Sequence, residues 1–496
     1  MLQIRARYPV IYVRSWEEER VLFELRSMVR NIGVWSVTKG LIMNNRPVDG
    51  TAQPDEILRH ILSQDCEQGV YVLLDFHKFM GDPVIERLLR DAVRELPPQK
   101  KSIVIISPSM TIPDGLSKEI TADDYGLPTE QEVSLILDEM LKSKSCDGVP
   151  VPQNGEREAI IKACMGLTRM EIENALAKTV VEFKRFNIDS IIKEKQQVIK
   201  KSGILEYWEA VEDLANVGGL DNLKEFLSDR ADLFTNKARE RGIPSPKGVL
   251  LVGVPGCGKS LVAKMIPSMW KMPLLKFDAS KIMGSLVGQS ERAMDQMTKI
   301  AEAVAPCVLW IDEIEKAMAG VASSNNSDAG TKAGVFTILL TWLQEKKAAV
   351  FVVATANDIQ VLESAGSALC RKGRFDEIFS VDLPTSSERT EIIAIHIRKN
   401  KRDPSDFNIP SIVEATNQFS GAEIEEAVRA ANIKAFKEKR NFTTDDVVKA
   451  AKKTVAMAVT MKEDIARNRR WCDTRATPAS KKEAECDKDR SRQLDV

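Results

Sequence analysis

Short apolar runs alternate with amphipathic helical segments in two separate stretches of the chain. In about residues 1–140 the runs are Pro9–Val13, Tyr71–Asp75 and Ser102–Ser107; in about residues 213–383 they are Gly248–Val252, Leu274–Phe277, Cys307–Ile311 and Ala349–Ala354. Short β-branched runs separated by helices are typical of a parallel sheet covered by helices. A helical segment follows each stretch, at about 128–190 and about 384–460. The pattern therefore predicts two α/β modules in tandem, each with a helical appendage.

Two pairs of short sequence matches connect the modules. Leu127–Val133 parallels Leu383–Arg389, and Leu167–Ala175 parallels Phe419–Ala427. Such matches arise by chance in helical segments, but two in the same order on the same architecture favour an internal duplication.

Composition narrows the possible partners. Lys and Arg total 71 against 72 Asp and Glu, and only 6% of residues are aromatic, which argues against a nucleic-acid partner. The eight cysteines form no C-x-x-C pair and the three histidines lie far apart, so no structural zinc site is expected. No apolar run is long enough to span a bilayer, and the first residues lack a cleavable signal pattern, so we expect a cytoplasmic protein.

Gly253–Ser260 has the spacing Gly-x-x-x-x-Gly-Lys-Ser, after an apolar run and before a helix-prone segment. Glycines let backbone N–H groups point at a phosphate, and the following helix adds its positive end. Lys259 would reach the β- and γ-phosphates of ATP, and the Ser260 hydroxyl would bind Mg²⁺. A plain glycine-rich turn is a much weaker interpretation. The predicted phosphate-binding residues are Gly253, Val254, Pro255, Gly256, Cys257, Gly258, Lys259, Ser260 and Leu261.

Polar side chains end two later apolar runs. Asp312 would hold Mg²⁺, and Glu313 would act as general base on the attacking water. Asn357 would hydrogen-bond that water or the γ-phosphate, although an Asn that starts a turn is the simpler alternative.

Arg371 and Arg374 lie in the basic segment Arg371–Asp376. Guanidinium groups stay charged and bind phosphate oxygens in a fork. A solvated basic loop is the simpler alternative. The functional hypothesis is an arginine finger that reaches the ATP of a neighbouring subunit.

Together these motifs make residues 216–450 resemble the classical branch of AAA+ ATPases. The matching segments are Asn216–Asp221, Pro246–Leu251, Cys370–Asp376 and Ser420–Glu423. The resemblance implies that Val217, Gly218, Gly421 and Ala422 lie beside the adenine and that both arginines act in trans. It also implies a homo-oligomeric ring, most often a hexamer. The expected fold is a pair of RecA-like (P-loop NTPase) α/β modules, the first degenerate and the second an AAA+ module with a helical lid.

The whole chain resembles a narrower group, the hypothetical chloroplast reading frame AAA proteins of plastids, cyanobacteria and relatives. Segments that carry this resemblance are Lys200–Tyr207, Ala305–Glu313, Ala456–Lys462, Arg469–Trp471 and Pro478–Ser480. In a plastid-encoded member the location would be the stroma. The expected divisions are a degenerate ATPase-like module at 1–190, a helical linker at 191–215, the large AAA+ subdomain at 216–383, the lid at 384–460, and a polar, partly disordered tail at 461–496.

Three features depart from the AAA+ pattern. Arg14–Arg20 has no glycine, no Lys-Ser pair and three carboxylates, and Phe76 stands where a catalytic Glu would be needed, so the first module should not bind ATP in the usual way. Leu286 replaces the aromatic residue usual in protein-threading pore loops, which leaves open whether Gly284–Gly288 grips a polypeptide or merely connects. Cys257 replaces a common Thr; harmless variation is the favoured interpretation, though its oxidation would block nucleotide.

These observations predict an ATP-hydrolysing ring that remodels a protein partner, bound through the N-terminal module. An ATP-gated scaffold with slow hydrolysis is the alternative. A nucleic-acid motor is less well supported, because the charge is balanced and aromatic residues are few.

Overall fold

The computed structural model describes residues 2–143, 148–201, 203–208, 214–234, 238, 240–278, 289–318, 329–359, 369 and 371–481. The chain divides into two compact units, Met1–Ile192 and Lys193–Val496.

The first unit is built on a seven-stranded sheet. Its strands are β1 (Val10–Arg14), β2 (Ile32–Ser36), β3 (Gly40–Met43), β4 (Arg46–Val48), β5 (Gly69–Leu74), β6 (Lys101–Ser107) and β7 (Thr121–Asp124), in the order β4-β3-β2-β5-β6-β1-β7. The helices of at least four residues are α1 (Leu2–Arg5), α2 (Glu18–Met28), α3 (Pro54–Leu62), α4 (Pro83–Glu95), α5 (Glu130–Leu141), α6 (Asn154–Cys164) and α7 (Arg169–Phe183), and α8 (Ile188–Lys201) continues into the second unit.

The predicted parallel sheet is present, and the three predicted runs form its strands β1, β5 and β6. The sequence prediction missed β2 and β7, which extend the parallel set, and also β3 and β4. Strand β3 pairs antiparallel with both β2 and β4. Asn44 and Asn45, in the turn between β3 and β4, have φ values of 51° and 62°. Asn tolerates this left-handed backbone, which produces a tight hairpin that a search for long β-branched runs does not detect.

The second unit also has a seven-stranded sheet. Its strands are β8 (Leu205–Trp208), β9 (Gly248–Gly253), β10 (Leu274–Asp278), β11 (Cys307–Asp312), β12 (Val350–Ala356), β13 (Glu377–Val381) and β14 (Thr477–Pro478), in the order β14-β13-β9-β12-β11-β10-β8. Helices in its α/β part are α9 (Asp221–Ser228), α10 (Lys259–Trp270), α11 (Gln289–Val304), α12 (Ile314–Met318) and α13 (Ala329–Glu345). The C-terminal helices are α14 (Ser386–Lys399), α15 (Ile409–Ala415), α16 (Gly421–Lys437), α17 (Thr444–Lys453), α18 (Met457–Thr460) and α19 (Lys462–Arg475).

The two sheets share one strand order. When the first five parallel strands of each unit are numbered along the chain, they run 5-1-4-3-2 in both units: β7-β1-β6-β5-β2 in the first and β13-β9-β12-β11-β10 in the second. In the second sheet β14 adds a sixth parallel strand beside β13. Apolar clusters cover both faces of each sheet, and a separate cluster fills the lid helices. This arrangement confirms the predicted fold class of tandem RecA-like modules with a helical lid.

The sequence matches between the modules coincide with helix starts. Thr129 and Thr385 are N-caps whose partners in a capping box are Glu132 and Glu388. Thr168 and Ser420 cap the equivalent later helices, again with a glutamate three residues on. A capping box satisfies backbone donors at the helix start from both sides. The sequence matches between the two modules therefore mark equivalent helix starts in two units whose parallel strands have the same order.

The C-terminal segment is more ordered than a polar tail. Residues 461–496 were expected to be a polar tail, but α19 places Trp471 and Cys472 in the apolar core of the sheet. Strand β14 then pairs with β13, and Ala479 is fully buried. The remainder of this tail, residues 482–496, lies outside the described residues. Likewise β8, within the predicted linker, forms the antiparallel edge of the sheet beside β10.

Candidate functional site

The glycine-rich loop joins β9 to α10 at the carboxyl end of a central strand. Gly256 and Gly258 have φ values of 75° and 96°, which side chains disfavour. This backbone turns the loop sharply into the helix that begins at Lys259. The position of the loop is the one that the phosphate-binding motif requires.

Lys259 is the most buried polar group of the loop. Its side chain is 5% exposed, and Nζ donates to the carbonyl oxygens of Gly253 and Val254, each at 2.8 Å. Burial lowers the pKa of Lys259 to about 8, while the carboxylates of Glu315, Asp312 and Glu313 partly oppose that shift. The lysine and the carboxylates therefore lie within electrostatic reach of one another.

A cavity of about 330 Å³ lies between this loop, the segment before α9 and the lid helices. The lining includes many residues that the sequence predicted: Val217, Gly218, Pro255, Gly256, Cys257, Gly258, Lys259, Ser260, Leu261, Asn357, Gly421 and Ala422. Sequence reasoning missed Asp382, Pro384, Glu388, Ile392, Ile395, His396, Lys399, Glu425 and Ser480. The lid side of the cavity combines apolar side chains, Ile392 and Ile395, with the charged Glu388, Lys399 and Glu425. A cavity of this size suits a small-molecule ligand such as a nucleotide.

The lid is fixed to the loop by backbone contacts. The N–H of Ala422, in the first turn of α16, donates to the carbonyl of Gly256 at 3.0 Å. Gly218 lies so close to Ile392 that an added Cβ would stand 2.9 Å from its side chain. The neighbouring N–H groups of Gly219 and Leu220 donate to Glu391 and Glu388 of α14. The absence of a side chain at Gly218 therefore permits this close approach.

A chain of hydrogen bonds joins the ends of β11 and β12. Thr355 Oγ1 donates to Asp312 Oδ1 at 2.7 Å and accepts from the backbone N–H of Glu313 at 3.0 Å. Asn357 Nδ2 donates to Glu313 Oε1 at 3.3 Å. The backbone N–H of Asn357 in turn donates to Glu315 Oε1 at 2.9 Å. The structure thus brings together the predicted Asp312, Glu313 and Asn357.

Thr355 and Glu315 are site residues that sequence reasoning missed. Thr355 is 1% exposed, and it holds both acidic residues through one hydroxyl. Burial, aided by the charge of Glu313, raises the pKa of the Glu315 carboxyl. Thr355 lies beside Asp312 because of the register between β11 and β12, which the sequence does not reveal.

Glu313 has a left-handed backbone with φ of 51°. Such a conformation in a residue other than glycine is uncommon and clusters at functional sites. Its carboxylate forms an ion pair with Lys316 of α12, and this raises the pKa of Lys316.

The donor set suits Mg²⁺ held mainly by phosphate. Ser260 lines the cavity, and Asp312 supplies a carboxylate at the strand end. Among the residues that the structure describes, no three His, Cys, Asp or Glu side chains cluster as a metal cage. Mg²⁺ keeps several waters and commonly binds through one or two protein ligands plus substrate phosphates. These residues therefore fit a magnesium–nucleotide complex.

The two arginines lie on an anchored loop outside the cavity lining. Asp376 Oδ2 accepts the N–H groups of Lys247 and Gly248 at 2.7 and 3.0 Å, which fixes the loop to the start of β9. Arg371 is exposed and Arg374 is half-buried. Neither is among the described residues that line the cavity. The segment Gly284–Gly288, with Leu286, and also Cys370 lie outside the described residues.

In the first unit, side chains hold the region equivalent to the glycine-rich loop. Arg20 donates to Glu17 at 2.7 Å, to Glu132 at 2.8 Å and to the carbonyl of Gly126 at 2.7 Å. Glu17 accepts the N–H of Arg169, at the start of α7, at 2.6 Å. We call Glu17, Arg20 and Glu132 the ionic clamp. It ties the start of α2 to the helices α5 and α7 of the first unit.

Asp75 corresponds to Glu313 rather than to Asp312. Each is the first residue after the third parallel strand, and their φ values are 54° and 51°. The sequence interpretation, which set Phe76 against the catalytic Glu, is therefore one residue out of register. Leu74 takes the place of Asp312, so the first unit has no carboxylate at this strand end.

Four family models match the chain. They are described as SpoVK-like AAA ATPase N-terminal domain (residues 1–125), SpoVK-like AAA ATPase second domain (131–202), ATPase family associated with various cellular activities (249–383) and AAA+ lid domain (406–450). The glycine-rich loop, the strand-end carboxylates and the lid lie within or beside the last two. The fold and these matches define an AAA ATPase, an enzyme that binds and hydrolyses ATP.

Relatives that match nearly the full length of this chain identify a narrower family within the AAA ATPases. An uncharacterized AAA domain-containing protein ycf46 of Guillardia theta is 40% identical over 95% of this chain and 93% of its own length. The protein of the same name from Pyropia yezoensis is 38% identical over 97% and 98%. This chain belongs to the Ycf46-like family of AAA domain-containing proteins, which confirms the resemblance found in the sequence. A proteasome-activating nucleotidase of Aeropyrum pernix is 34% identical over 44% of the chain and 53% of its own length.

No helix among the described residues is both long and apolar enough to cross a membrane.

Proposed function

We propose that this AAA ATPase works as a ring of identical subunits, a hexamer, that couples Mg-ATP hydrolysis to remodelling of a protein partner. The observation that carries this proposal is the anchored loop with Arg371 and Arg374. Both arginines stand outside the cavity lining of their own chain, on a loop fixed by Asp376. An arginine on an anchored loop outside its own site is suited to complete a neighbour's site, and a head-to-tail contact of this kind can close into a ring.

The proposed roles follow the geometry of the second unit. The loop from Gly253 to Leu261 binds the phosphates through its N–H groups, with Lys259 as the cation. Val217, Gly218, Gly421 and Ala422 enclose the base at the lid side of the cavity. Ser260 and Asp312 hold Mg²⁺, which neutralises phosphate charge when it is bound.

Glu313 is the proposed general base. Glu313 directly follows β11 and has a left-handed backbone with φ of 51°. Asn357 donates a hydrogen bond to its carboxylate at 3.3 Å. Thr355 fixes the Glu313 backbone and Asp312 together. Glu313 therefore takes a proton from the attacking water while Asn357 orients that water or the γ-phosphate. Arg371 and Arg374 of the neighbouring subunit stabilise the developing charge on phosphate.

The first unit serves a different role in this proposal. Leu74 replaces the metal-binding carboxylate, and the ionic clamp occupies the region of the phosphate-binding loop. Its exposed apolar side chains include Trp16 and Phe23, which are 75% and 69% exposed. We therefore assign partner binding to this unit and hydrolysis to the second.

The test is the Glu313→Gln variant held in Mg-ATP. It should keep ATP unhydrolysed and form a particle of about 330 kDa, six times the 55.3 kDa chain, in light scattering. Glu345→Gln, an exposed glutamate at the end of α13, is the matched control and should hydrolyse ATP normally. An ATP-bound Glu313→Gln protein of single-chain mass would contradict the ring, and wild-type turnover would contradict the assignment of the base.

A second measurement tests remodelling. Wild-type hydrolysis should rise when an unfolded probe protein such as casein is added. A ring that hydrolyses ATP slowly and at the same rate with and without the probe would instead support an ATP-gated scaffold.

A further inference from the structure

Lys276, close to the end of β11, places its ammonium over the rings of two tryptophans. Lys276 lies within β10, where its register partners are Trp310 in β11 and Glu206 in β8. Its Nζ lies 4.3 Å from the centroid of the Trp310 ring and 5.8 Å from that of Trp208. The two rings meet edge to face at 6.2 Å. Aromatic faces attract cations, so this pair of rings holds the ammonium in place.

The same ammonium contacts the carboxylate assigned to magnesium. Lys276 Nζ lies 3.4 Å from Asp312 Oδ2, while Thr355 donates to the other oxygen, Oδ1. The two oxygens of Asp312 thus face two different partners. The lysine side chain is 21% exposed and that of Asp312 is 27% exposed, so solvent screens their attraction only in part.

Trp208, one of the two tryptophans that hold the Lys276 ammonium, lies outside the part of the chain that matches the AAA family model. Trp208 is the last residue of β8, whereas the AAA family match begins at residue 249. Lys264, one turn into α10 from Ser260, shares the rings at 4.7 Å from Trp208 and 5.8 Å from Trp310. The two lysines therefore form an internal comparison: they share the aromatic support, and the ion pair with Asp312 belongs to Lys276.

We propose that Lys276 is a positioning residue that holds the Asp312 carboxylate in the nucleotide-free site and competes with Mg²⁺ for it. This inference rests on the proposed function of Asp312. A carboxylate already paired with an ammonium offers less negative potential to a second cation. Magnesium must displace or share that partner, so Lys276 raises the magnesium concentration that the site requires. Binding of Mg²⁺ at Asp312 is thereby linked to movement of the Lys276 side chain away from that carboxylate.

The test is a magnesium titration of nucleotide binding. A fluorescent, non-hydrolysable ATP analogue is bound to the full-length protein, and the Mg²⁺ concentration at half-maximal enhancement of binding is measured. Lys276→Met should lower that concentration about 3- to 10-fold, because a partly screened unit charge at this distance is removed. Lys276→Arg keeps a cation and should stay near wild type. Lys264→Met, the matched control, should stay within about twofold.

Binding of the analogue in excess chelator separates positioning from general damage. Metal-free affinity should be the same for Lys276→Met and wild type, since the proposal concerns only the metal. Loss of metal-free affinity, or a half-maximal concentration in Lys276→Met that is unchanged or raised, overturns the inference while the proposed function stands. A wild-type protein whose nucleotide binding ignores Mg²⁺ overturns both.

Discussion

Thr355→Val removes one hydroxyl from the centre of the site and keeps the shape of the side chain. Thr355 is 1% exposed, and its Oγ1 donates to Asp312 at 2.7 Å and accepts from the N–H of Glu313 at 3.0 Å. The substitution therefore breaks a hydrogen bond to a carboxylate and leaves a buried N–H without its acceptor. The first loss costs about 1.5–3 kcal/mol and the second about 1–3 kcal/mol.

Part of this cost should appear in catalysis. The left-handed backbone of Glu313, itself worth about 1–3 kcal/mol of strain, depends on that acceptor. If about 2 kcal/mol is lost from the transition state, kcat falls about 30-fold. Nucleotide affinity should change little, because the phosphate-binding loop is untouched.

The assay is steady-state phosphate release together with equilibrium binding of a fluorescent ATP analogue. Thr355→Ser, which keeps the hydroxyl, is the matched control and should retain kcat within a few-fold of wild type. A Thr355→Val enzyme with wild-type kcat, or one whose entire defect lies in nucleotide affinity, would refute the reasoning.

Two further predictions concern largely buried charged groups, Lys259 in the second unit and Arg20 in the first. Because burial lowers the pKa of Lys259 to about 8 and bound phosphate favours its cation, ATP binding takes up a proton. The dissociation constant for the ATP analogue should therefore rise as pH increases through 8, approaching about tenfold per pH unit, and a constant value from pH 7 to 9.5 would be contrary to this. Arg20→Met should destabilise the first unit by about 3–5 kcal/mol, because the carboxylate of Glu17 stays buried without its cationic partner. In calorimetry of the full chain, the unfolding temperature of the first unit should be lower in Arg20→Met than in the exposed-site control Arg26→Met. Equal unfolding temperatures would count against the ionic clamp.

Contiguous motifs account for the part of the site that the sequence predicted. Gly253–Ser260 carries its own geometry, because the glycines, the lysine and the helix start are adjacent in the chain. Asp312 and Glu313 end an apolar run, so their place at the sheet edge follows from strand direction alone. Apolar runs likewise predicted three of the parallel strands in the first sheet (β1, β5 and β6) and four in the second (β9, β10, β11 and β12).

Contacts between distant segments account for what was missed. Thr355 reaches Asp312 only through the register of β11 and β12, and Lys276 reaches it through β10. Ser480 lines the cavity because the C-terminal segment returns to the sheet after α19, and Asp382 lines it because it directly follows β13. Strand β8 is too short, and Thr477–Pro478 too polar, for periodicity to identify either as part of a sheet.

The central claim is a single working site per chain that a neighbouring subunit completes. The most direct measurement mixes Arg371→Ala with Lys259→Ala and follows phosphate release across a range of ratios. Each variant alone should be inactive: the first lacks the finger, and the second lacks the phosphate-binding cation. At equal amounts about a quarter of the interfaces pair an intact loop with an intact arginine, so activity should return to about that share of wild type. Absence of activity at every ratio, with both variants shown to enter the same ring, would contradict the account.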